Sequence, residues 1–187
     1  MNKTRIRRDT EDFKDYLNGI RHSWLKTMCI LGFTLTPLFL ALDYFMIHEG
    51  RLANFAIYRG AVTFLVLAQY AVLRSTKPSK YAPFHGYLFS LLLGIMISTM
   101  THELGGLDSS YYAGLNLVMI AVIVLIPWGF SHAVINALLI IGSYLSVNFL
   151  FPIPFHYNIL VNNLYFLFSS AVIAVAINRV HFGLIRK

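Results

Sequence analysis

Charge is what this sequence has least of. Asp, Glu, Lys and Arg make up 12% of its 187 residues, against about 25% in a soluble domain. Hydrophobic residues make up 57%, and the mean hydropathy is +0.64. That excess is too large for a water-soluble core and leaves a polytopic membrane protein of one domain. Cysteine is nearly absent: the single Cys29 excludes an intramolecular disulfide and a metal site built on cysteine alone. The eight acidic residues never pair inside an apolar run. No P-loop, nucleophile elbow or HExxH pattern occurs, so no catalytic machinery is visible and the chain reads as a non-enzyme. Nothing resembles an inverted repeat with two broken helices, which would point to a transporter. No cleavable signal peptide is expected: the first apolar run follows a long polar, basic stretch and has no small-residue cleavage site after it.

What is present is a series of apolar runs, each near the ~20 residues a bilayer requires. They fall at about 25–47, 53–73, 83–102, 111–129, 132–150 and 158–180. Short connections separate them: a basic loop from Arg74 to Tyr81, a Gly-rich acidic loop from Glu103 to Ser110, a turn from Pro127 to Ser131, and a proline-broken segment from Phe151 to Tyr157. Before the first run, Phe13, Tyr16, Leu17, Ile20 and Trp24 have helical spacing with charges between them. This predicts an amphipathic helix on the inner membrane surface. The expected fold is an all-α six-helix bundle: a lead over 1–26, the transmembrane domain over 27–182, and the start of a connector over 183–187.

Orientation follows from the basic residues. Thirteen of the fifteen Lys and Arg lie at the termini or in the Arg74–Tyr81 loop. Arg51 stands on the other side and Arg59 within a span. Positive loops stay inside, so both termini are predicted cytoplasmic and the span number even. The net charge of +7 is thereby assigned to the membrane, not to nucleic acid.

Asp43 and Arg59 are the full charges inside the predicted spans. Counted from the hairpin that joins the first two spans, they share a depth, which predicts a structural ion pair; a ligand-headgroup role for Arg59 is the alternative. Asn136, Asn148, Asn162 and Asn163 need hydrogen-bond partners and read as glue between helices.

The third run carries His85 and His102 at its two ends, 17 residues apart, or roughly 25 Å at about 1.5 Å per residue. By the topology above, His85, His132 and His181 lie at the inner face and His48, His102 and His156 at the outer face. Ordinary interfacial histidines are one explanation. A second is haem b, one at each face, clamped by histidine pairs: His85 with His132 or His181 inside, His102 with His156 or His48 outside. Gly86 and Gly105 would clear room for a porphyrin. A third is an outer transition-metal site formed by His48, His102 and His156 with Glu103 or Asp108.

The basic loop after the second run, the Asp108-to-Leu115 segment DSSYYAGL and the last run opening VNNLYF after Leu160 resemble the six-helix membrane sensor modules of bacterial adenylate cyclases, diguanylate cyclases and hybrid histidine kinases. One branch of these modules, the HYF type, takes its label from recurring His, Tyr and Phe residues and looks like a haem-b-binding sensor. The related quorum-sensing kinases bind small lipophilic molecules between their helices. The resemblance implies an input domain in a bacterial inner membrane that dimerises and signals through its last helix to a cytoplasmic cyclase or kinase.

Three functions follow as expectations. The first is a haem b sensor. The second is a receptor for a lipophilic signal, with a pocket of Tyr112, Trp128, Tyr144, Tyr165 and Phe166 and a polar head oriented by Arg59 or Asn162. The third is a b-type cytochrome passing electrons between the faces.

Overall fold

The computed structural model describes residues 3–46 and 49–185. Among the described residues the regular structure is helical: α1 (Lys3–Met46), α2 (Glu49–Ser75), α3 (Ala82–Glu103), α4 (Ala113–Leu125), α5 (Phe130–Leu150) and α6 (Tyr157–Ile185). Two short 3-10 turns, Gly106–Asp108 and Ser110–Tyr112, lead into α4. Five of the helices are long and apolar enough to cross a membrane.

The fourth is not. Its 13 residues span about 20 Å at ~1.5 Å each, short of the ~30 Å hydrocarbon core, although the sequence predicts a span over 111–129. The cause lies at its end. Pro127 pushes the residue before it out of the helical region, and Ile126 is extended, with φ −94° and ψ 128°. The carbonyls freed there are taken by side chains. The Trp128 indole donates to Val122 at 2.9 Å, and the Asn178 amide of α6 donates to Ile123 at 2.7 Å and Ile126 at 2.9 Å. A helix end buried in a membrane needs such partners. They let α4 stop early while still joining the two ends of the bundle.

A second departure concerns the amphipathic lead. It is not a separate helix, because α1 runs unbroken from Lys3 to Met46. Leu17, Leu25, Met28 and Cys29 are buried along one face of it, so the apolar stripe continues through residue 26 and gives no stop signal. Arg21 Nε donates to the Pro127 carbonyl at 3.0 Å, and its guanidinium lies 6.0 Å from the Phe182 ring of α6.

The third helix sits at the centre, packed on α1, α2, α4 and α5. Small residues allow the approach: a Cβ on Gly94 would stand 2.7 Å from Ser143 Oγ of α5. Ser90 adds a hydrogen bond to Asn136 at 2.6 Å. Of the other asparagines, Asn163 ties α6 to the Leu107 carbonyl at 2.9 Å, Asn148 bonds its own helix, and Asn162 is exposed. The turn after α3 needs Gly105 and Gly106, whose φ values of +115° and +63° other residues rarely adopt.

Candidate functional site: an apolar cleft with a polar end

A cleft of about 510 Å³ lies between α1, α3 and α4, within the ~300–1,000 Å³ of small-molecule pockets. Its walls include Leu35 and Phe39 of α1, Phe89 and Met96 of α3, and Leu117 and Val122 of α4. Leu35, Leu42 and Leu117 at the rim are exposed, so the cleft opens sideways from the bundle, where lipid would lie.

One end is polar, lined by Thr36, Asp43, Arg59, Ser110 and Tyr111. Asp43 and Arg59 are 1% and 5% exposed. Arg59 grips Asp43 with two bonds, Nε to Oδ2 at 2.6 Å and Nη2 to Oδ1 at 3.1 Å. The Tyr111 hydroxyl donates to Asp43 Oδ1 and accepts from Arg59 Nη2, each at 2.7 Å. Arg59 Nη1 reaches the Thr36 carbonyl at 3.2 Å, and the guanidinium lies 5.7 Å from the Phe39 ring. Three segments distant in sequence are thus joined by one charge-assisted network.

At the same end a more open hollow of about 680 Å³ is lined by Arg51, Asn54, His102, Glu103, Leu104, Gly105 and Ile153. Arg51 donates to the Glu103 carbonyl, and Tyr58 donates to the Glu103 carboxylate at 2.5 Å. His102 is half-buried with its Nδ1 unpartnered, 6.0 Å from Phe151. His156 is exposed and engaged elsewhere: Asp108 accepts from its ring Nδ1 at 2.7 Å and from its backbone N–H at 2.8 Å. That bond holds the Asp108 carboxyl below the ordinary carboxylate range. His48 lies outside the described residues. Among the described residues no group of three or more His, Cys, Asp and Glu could hold a metal.

At the opposite end, His132 Nδ1 shares a hydrogen with the Tyr87 hydroxyl at 2.5 Å. Buried His85 Nδ1 has no partner, while the His85 carbonyl accepts from Gln69 at 2.6 Å. His181 is half-buried on α6. The room expected beside Gly86 is occupied, because a Cβ there would stand 2.4 Å from the Trp128 ring. The unpartnered nitrogens of His85 and His102 suit haem iron, and His22 Nε2, at the His85 end, has no partner either. Yet among the described residues the cleft has no histidine in its lining and the hollow has His102 alone, so neither lining, as described, shows the pair that bis-histidine ligation needs.

Of the pocket residues expected from the sequence, Arg59 alone lines the cleft. Trp128 is fully buried and closes α4. Tyr144 is buried and donates to the Leu107 carbonyl at 3.4 Å, with Tyr112 6.4 Å away. Asn162, Tyr165 and Phe166 are exposed on α6. The residue that sequence reasoning passed over is Tyr111, next to Tyr112 in the DSSYYAGL segment. The missing signal was its direction, which the 3-10 turn sets.

A family model, MASE8, which describes a membrane-associated sensor domain, matches residues 41–185. That span contains Asp43, Arg59, Tyr111 and the α3 and α4 walls. Searches of curated proteins and of solved structures returned no match.

Proposed function

Because the chain belongs to the MASE8 family of membrane-associated sensor domains, we propose that it senses a lipophilic small molecule taken from the bilayer into the α1/α3/α4 cleft. One observation carries this: an apolar, side-opening cavity ends on a buried network of Asp43, Arg59 and Tyr111. Apolar walls would hold a chain and the polar end would orient a head, the usual division of labour in ligand pockets.

The walls belong to three helices, so an occupant would favour one arrangement of them, by no more than its differential affinity for the two states. Its effect would reach α6 through α4, which Asn178 ties to α6 at two carbonyls. In this reading α6 passes the signal to a cytoplasmic effector of the cyclase or kinase kind, in a dimer in the bacterial inner membrane with both termini inside. A photoreactive alkyl diazirine incorporated with the protein in nanodiscs tests the site. Adducts on Leu35, Phe89 and Leu117 are expected, and labelling spread evenly over the exposed faces of all helices contradicts it.

Haem b is a second reading, favoured by the unpartnered ring nitrogens of His85 and His102. Oxidised and reduced absorption spectra of protein made with ample haem decide it. A sharp Soret band that disappears in His85→Ala or His102→Ala supports haem, and a featureless spectrum removes it.

A further inference from the structure

The polar end of the cleft limits what kind of head it accepts. A guanidinium carries five N–H donors. In Arg59 four are engaged: Nε with Asp43 Oδ2, one Nη1 hydrogen with the Thr36 carbonyl, and two Nη2 hydrogens with Asp43 Oδ1 and Tyr111. One Nη1 hydrogen is left. The positive charge is already met by Asp43, whose two oxygens accept three hydrogen bonds. The network is thus neutral as a whole and nearly saturated. The same lining includes Ser110, next to Tyr111 in the chain, whose hydroxyl donates or accepts.

A carboxylate or phosphate could accept the one free Nη1 hydrogen, but it would bring a second negative charge beside Asp43, and a bidentate grip on Arg59 would have to take it from Asp43, leaving a carboxylate that is 1% exposed without its partner. Stranding a buried charge is strongly unfavourable. An ammonium head would meet a like cost with the signs exchanged: it would bring a second positive charge beside Arg59 into a site whose one carboxylate is already paired. An uncharged head that accepts one hydrogen bond disturbs nothing. It takes the remaining Nη1 hydrogen and pairs with Ser110.

Resting on the cleft reading above, we propose that the ligand is a neutral amphiphile: an apolar chain ending in a hydroxyl, carbonyl or ester, and neither an acid nor an amine. The Asp43–Arg59 pair acts as a selectivity element that hides the arginine charge from acidic lipids and fatty acids.

The test is a displacement series on the full chain in nanodiscs, with a fluorescent alkyl probe and four competitors of equal chain length. These are dodecanol, methyl dodecanoate, dodecanoic acid and dodecylamine, at a pH where the acid is ionised and the amine protonated. Dodecanol and the ester are expected to displace at least tenfold more effectively than the acid and the amine. In Asp43→Asn, which keeps the shape and removes the charge, the acid is expected to gain on the alcohol and overtake it. Acid displacing as well as alcohol in the unaltered protein overturns the neutral-head inference and leaves the cleft standing. Displacement by none of the four overturns both. An order unchanged by Asp43→Asn, in protein that still unfolds cooperatively, overturns the role given to Asp43.

Discussion

Tyr111, in the turn before α4, gives its hydroxyl hydrogen to Asp43 of α1 and takes one from Arg59 of α2, each across 2.7 Å. Through it the α1–α2 hairpin and the mouth of α4 are fastened at one depth, and the cleft acquires its polar end. Tyr111→Phe removes both bonds and little volume. A hydrogen bond to a charged group is worth about 1.5–3 kcal/mol, and a loss of that order is expected in detergent unfolding.

The ion pair is more costly to break from one side. Arg59→Leu leaves the Asp43 carboxylate buried without its cation, which costs about 3–5 kcal/mol. Replacing both residues with apolar ones of similar size is expected to recover most of the loss. Unfolding of the single and double variants measures the difference. A double variant no better than the single one would mean that the pair is not the source of the loss.

Asn178 and Trp128 are expected to matter through the end of α4. Asn178→Leu releases the Ile123 and Ile126 carbonyls. Hydrogen bonds of this kind in membrane bundles average about 0.6 kcal/mol, with a maximum near 1.7. Faster hydrogen exchange is expected in the turn from Ile126 to Phe130. Gly86→Leu forces the Trp128 ring to move and is expected to cost about 1–3 kcal/mol as overpacking.

The Asp108–His156 contact predicts a pH response outside the spans. The carboxyl of Asp108 is depressed when folded, chiefly by the His156 ring hydrogen bond and then by the backbone N–H. The stability from this contact is therefore fully present above the ordinary carboxylate value, near ~4. It is lost as pH falls through the lower folded value. Intrinsic exchange rates being corrected for, amides around His156 are expected to lose protection below about pH 4. In Asp108→Asn that pH dependence disappears.

Much of this fold can be read from hydropathy. The five long helices follow from apolar runs with polar connections, and the meeting of Asp43 with Arg59 follows from counting residues back from one hairpin. Three features were beyond such counting. The lead joins α1 because an amphipathic stripe has the same period on a membrane surface as against a bundle. The early stop of α4 depends on Asn178, which is 53 positions after Leu125 in the chain. Tyr111 faces the ion pair and Tyr112 faces Tyr144 because of a 3-10 turn that hydropathy does not reveal. The histidines give the strongest sequence signal, yet among the described residues only His102 borders either cavity, since the rings of His132 and His156 are held by Tyr87 and Asp108.

The central claim is that the α1/α3/α4 cleft holds a lipophilic molecule. Native mass spectrometry of the chain released from nanodiscs tests it most directly, comparing the unaltered protein with Ala121→Trp, which places an indole in the cleft lining. The account predicts a retained small amphiphile at one per chain in the unaltered protein and its loss in Ala121→Trp, with unfolding behaviour preserved. Equal retention in both, or a bare chain under conditions that keep annular lipid, would contradict it.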